Sequence, residues 1–160
     1  MLKGRELKGL PVFCGGSQSE LGRVQDWLID ESNGFIRALI IVGSGIWQRT
    51  HFARVENIHS VSKKGVFLKN KSFLETLPKN LLTFSQSGWL GAKILNSHGD
   101  DRGTVADIVI DNDLLAGGIS LKGIEVSTGL MGDMSFGREY LPMQSVIYER
   151  GSFTESPRLI

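Results

Sequence analysis

The apolar positions of this chain fall in short runs, with a glycine standing between most of them. Val12-Phe13-Cys14, residues 22–30 and residues 35–42 are short, with turn signals around them, and each predicts a strand. Between the last two, Ser32-Asn33-Gly34 is a hairpin turn sequence. Residues 48–53 alternate polar and apolar positions, as a half-buried edge strand does. Glu56-Asn57-Ile58 predicts a single helical turn before the closing strands. Helical periodicity is scarce. It is clearest between Lys69 and Ser87, where Phe73, Leu74, Leu77, Leu81 and Leu82 recur near helical spacing around Pro78. That segment predicts a linker with a turn or two of helix, packed apolar side down.

The same pattern then runs a second time. Gly22-x-Val24-x-Asp26-x-x-Ile29-Asp30 has its counterpart in Gly103-x-Val105-x-Asp107-x-x-Ile110-Asp111. Upstream, residues 9–13 match 91–95; downstream, Ile36-x-x-Leu39-x-Ile41 matches Leu121-x-x-Ile124-x-Val126. Val55 to Ile58 parallels Met143 to Val146, and a charged turn follows each, Lys63-Lys64-Gly65 and Glu149-Arg150-Gly151. Four blocks in one order indicate a duplication. The expected organisation is a first module over 1–70, a linker over 71–87 and a second module over 88–155. Gly22 and Gly103 are placed where a bulge lets a strand bend. The second copy carries an insertion at 112–118 and a longer Gly/Met loop at 127–136. A module of some 70 residues has a small core, so the two are expected to pack on each other or on a second chain.

Composition narrows the function classes. With 18 basic and 17 acidic residues the net charge is +1, so no global field draws the chain to nucleic acid or an anionic membrane. The apolar runs are too short to span a bilayer, and residues 1–6 lack the apolar stretch of a signal peptide. The single cysteine, Cys14, suits a reducing compartment. A cytoplasmic address without direct membrane insertion is the expectation.

Few residues suggest chemistry. Asp26 with Asp30, and Asp107 with Asp111, are four apart in a strand and are expected on one face, where a cation is conceivable. An aspartate at a bulge or strand end more often accepts backbone N–H groups of the following turn. His51, His59 and His98 are too scattered for a zinc site that one cysteine cannot complete. Gly43-Ser44-Gly45 lacks nucleophile-elbow spacing, and the glycines from 129 to 137 lack the lysine of a phosphate loop. No catalytic residue, metal ligand or cofactor is therefore expected. Trp47, Trp89, Met131, Met134 and Phe136 are large apolar residues in segments that read as loops. Such residues either anchor a protein interface or cover the seam between modules. Lys63, Lys64, Lys69 and Lys71 form a basic patch, which reads as a solvated edge that discourages strand pairing or as a contact for RNA phosphates or acidic lipid.

The opening Leu7-x-Gly9-x-Pro11-Val12, the two Gly-x-Val-x-Asp blocks and the closing Leu141-Pro142 with Val146 resemble the PRC-barrel family. The first copy departs from that pattern at Arg54, where the second has Pro142. The resemblance implies an all-β protein of two small, strongly bent barrels used for docking or assembly, and it does not imply an enzyme. The family includes the cytoplasmic domain of the reaction-centre H subunit and the C-terminal domain of a ribosome maturation factor. A protein partner, with a homodimer possible, is the leading expectation. An RNA- or ribosome-maturation-associated factor and a peripheral adaptor at a membrane complex are the alternatives.

Overall fold

The two matched blocks lie in eleven-residue strands, β3 (Glu20–Asp30) and β10 (Asp101–Asp111), and the remaining elements are arranged around them. The structure, a computed structural model, describes residues 1–30, 34–45, 49–70, 74–76, 89–116 and 118–157. The first half begins with β1 (Leu2–Lys3), a single helical turn α1 (Gly4–Leu7) and β2 (Pro11–Cys14). After β3 come β4 (Phe35–Gly43), β5 (Thr50–Arg54), a 3-10 turn at Val55–Asn57, β6 (Ile58–Ser62) and β7 (Gly65–Leu68). β8 (Glu75–Thr76) pairs with β5. The second half repeats the succession as β9 (Lys93–Leu95), β10, β11 (Ser120–Ser127), β12 (Glu139–Pro142), a 3-10 turn at Met143–Ser145, β13 (Val146–Glu149) and β14 (Ser152–Glu155). Even the unusual pairing recurs: β2 runs parallel to β7, and β9 parallel to β14.

The class is all-β, and the described strands of both halves share one sheet. β4 and β11 meet antiparallel at Phe35 and Ser120. Ile36 N donates to the Ile119 carbonyl and Leu121 N to that of Gly34, each at 2.8 Å. This joint fuses both halves into one sheet of order β13-β14-β9-β10-β11-β4-β3-β2-β7-β6. Among the described residues β5 does not pair with β6, nor β12 with β13, so the sheet is not closed. In each half a 3-10 turn separates those strands and redirects the chain there. The linker expected at 71–87 lies outside the described residues except for 74–76, as do Ser32, Asn33, Gln48 and Lys71.

One core serves both halves. Trp27, Ile36, Leu39 and Ile41 join Ile94, Ile108, Ile124 and Phe153 in a single buried cluster. Each contributes on the order of 1.5–3 kcal/mol by leaving water. The chain start crosses between halves, because β1 pairs with β10, Leu2 opposite Ile110. Gly4 sits at the crossing, where a Cβ would fall 2.7 Å from Ile108 Cγ1 and 3.0 Å from Trp27 Cη2. Among the described residues no helix is long and apolar enough to cross a membrane.

Candidate interaction surface

The motif residues serve the strands. The ladders slip between Val24 and Asp26 and between Val105 and Asp107, and a bulge of this kind frees a backbone N–H. In each copy the aspartate accepts from the next residue's amide: Asp26 Oδ1 from Trp27 N at 2.9 Å, Asp107 Oδ1 from Ile108 N at 2.8 Å. Asp107 also accepts from Arg5 N at 3.2 Å, and its Oδ2 lies 3.5 Å from the Arg5 guanidinium. Asp30 is ion-paired with Arg37. Asp111 accepts from Asp113 N and faces Lys122. The paired aspartates are thus used separately: Asp26 and Asp107 are buried, whereas Asp30 and Asp111 are half-exposed. Among the described residues no three His, Cys, Asp or Glu side chains gather as a metal ion requires. Val24 and Val105 are core, and Gly22 and Gly103 lie against the neighbouring strand.

The large apolar candidates separate into two groups. Trp89 is buried, its ring 4.9 Å from those of both Tyr148 and Phe153, so it belongs to the core of the second half and offers no surface anchor. Trp47 lies outside the described residues. Met131, Met134 and Phe136 are exposed, and they sit on a helix rather than a loop: α2, Leu130–Phe136. Glycine bounds it on both sides. Gly129 (φ 101°) starts it and Gly137 (φ 74°) ends it, donating its N–H to the Asp133 carbonyl at 3.0 Å.

The side of α2 facing the sheet is polar. Asp133 accepts from the Ser127 hydroxyl at 2.8 Å, Thr128 N at 3.2 Å and Arg138 Nε at 3.3 Å. Gly132 presses on Thr128, since a Cβ there would fall 2.0 Å from Thr128 Oγ1. The Ser127 bond first, then that of Arg138, holds the Asp133 carboxyl below the ordinary aspartate range. The opposite side carries Leu130, Met131 and Met134, which are 77%, 79% and 78% exposed, with Phe136 at 93%. Leu130 escaped the sequence reading, although a Leu-Met-x-x-Met spacing between two glycines was a legible sign of one helical stripe.

Replacing Asp133 with Ala is expected to raise amide exchange through 130–137 while leaving the global denaturation midpoint almost unchanged. Because this carboxyl is held low, its contribution is complete above the ordinary aspartate pKa and disappears as pH falls through the lowered one. Protection of α2 in the unaltered protein should therefore persist from neutral pH through the ordinary aspartate range and drop below it. Hydrogen exchange read by mass spectrometry checks both statements.

A groove of about 710 Å³ lies at the joint of the halves, with Phe35, Val55, Ile58 and Leu114 among its apolar lining. Of its charged lining residues, Arg37 pairs with Asp30, and Lys69 donates to the carbonyl of Glu56, which also lines the groove, at 2.8 Å. His59 is exposed on its rim. In the basic patch, Lys63 pairs with Glu6 at 3.2 Å. Glu6 is held low by the Lys3 backbone N–H and then by Lys63. Cys14 is half-buried at the end of β2. No protein-family model matches this chain, and no curated protein matches it.

Proposed function

We propose that this chain is a non-catalytic protein-binding or assembly module built from two PRC-barrel-type repeats, docking through α2. One observation carries the reading. Leu130, Met131 and Met134 form a solvent-facing apolar stripe on a helix fixed to β11 by Asp133. Methionine and aromatic side chains so presented are favoured interface anchors, and burying each is worth on the order of 1.5–3 kcal/mol. The PRC resemblance of the motif blocks points the same way. The lone cysteine fits a cytoplasmic setting. Lys63 and Lys69 of the basic patch are engaged within the chain, which weakens the RNA-associated reading.

The test is capture from native extract by the tagged protein and by a Met131→Glu/Met134→Glu variant. A defined protein recovered with the unaltered chain, and reduced roughly tenfold or more with the variant, is expected. The thermal midpoint should not change, because neither side chain packs in the core. Equal recovery by both proteins would remove α2 from the role, and salt-resistant ribosomal particles would favour the RNA reading.

A further inference from the structure

We infer that the surface docked by α2 is the α2 of a second copy of this chain, the two helices meeting across a two-fold axis. The inference rests on the reading of α2 as a docking surface and names its partner. The stripe exposes three large apolar side chains, roughly 300 Å² per copy at about 100 Å² each. Two copies would bury roughly 600 Å² from these side chains, and the surrounding rim carries the total toward the ~1,000 Å² at which specific association begins. A weak dimer, with Kd on the order of 10 μM, is the expectation.

Charge favours a copy of itself over an anionic lipid surface. The rim is neutralised internally: Arg138 lies 3.3 Å from Asp133 and 3.8 Å from Glu125, and Glu139 lies 2.7 Å from Arg102. Two such rims meet without like-charge repulsion, while a rim with this many carboxylates offers an anionic membrane no attraction. The chain's +1 net charge adds no barrier. A patch that meets its own copy across a two-fold axis closes as a pair and does not propagate a filament.

Sedimentation equilibrium of the purified protein from about 1 to 500 μM spans the expected constant. The mass should rise from one copy to two, and Met131→Glu/Met134→Glu should weaken association at least roughly tenfold. In a Cys14→Ser background, Met134→Cys should be joined to its twin by a short bis-maleimide. A dimer that the charged variant leaves intact overturns the inference. One-copy mass throughout, with α2-dependent capture of a different protein, overturns it and leaves the docking reading standing. One-copy mass with α2-dependent binding to phosphatidylserine vesicles, or with no α2-dependent binding at all, overturns both.

Discussion

Gly103→Val is expected to cost on the order of 4 kcal/mol or more, a large part of the stability of an ordinary domain. Two effects add. Gly103 has φ 122°, a conformation that side chains rarely adopt, and an added Cβ would stand 2.2 Å from the Ser127 carbonyl oxygen and 3.1 Å from its carbon. Both atoms are backbone, in the ladder where Thr104 pairs with Ser127, so no rotamer change relieves the clash. Gly22 provides the comparison. Its Cβ would stand 2.3 Å from the Val42 carbonyl oxygen, without the left-handed φ. Gly22→Val should therefore unfold the protein at higher urea than Gly103→Val, by about 1–2 kcal/mol of backbone strain. Urea denaturation followed by circular dichroism measures both. A Gly103→Val protein within 1 kcal/mol of the unaltered one would refute the account of the bend.

Asp107→Ala is the second large effect, expected at roughly 3 kcal/mol. The carboxylate is 1% exposed and takes the Ile108 and Arg5 amides, so its loss strands buried donors. Asp107→Asn keeps an acceptor at Oδ1 and forgoes only the partly solvated contact with Arg5, for about 1 kcal/mol. The ordering of Asn over Ala is the informative readout. Equal costs would mean that the charge, and not the geometry of acceptance at the bulge, is what β10 requires. Chemical denaturation with an unchanged slope distinguishes the two.

Much of this architecture was legible in the residues. The four repeated blocks marked the corresponding strands in both halves, and the aspartates of Gly-x-Val-x-Asp fill the bulges those glycines announced. What escaped depends on contacts that local pattern does not encode. Phe35 and Ser120 carry no sign that they will pair, so the fusion of two sheets into one was invisible. Leu2-Lys3 is too short to register as a strand. Trp89 was grouped with the exposed apolar residues because glycines flank it, yet Tyr148 and Phe153, more than fifty positions on, enclose its ring. The segment 127–136 read as loop because glycine and methionine dominate it. Its helix depends on Ser127 and Arg138 being brought to Asp133.

The placement of β1 sets an order of assembly. Leu2 is paired with Ile110, a separation of 110 − 2 = 108 positions. At a synthesis rate of about 5–20 residues per second, the partner of Leu2 is made roughly five to twenty seconds after it. Until then the first strand has nowhere to dock, and Gly4 cannot slot between Trp27 and Ile108. Maturation on the ribosome is therefore not a matter of finishing one repeat and then the next: β1 is seated late, by the half translated after it.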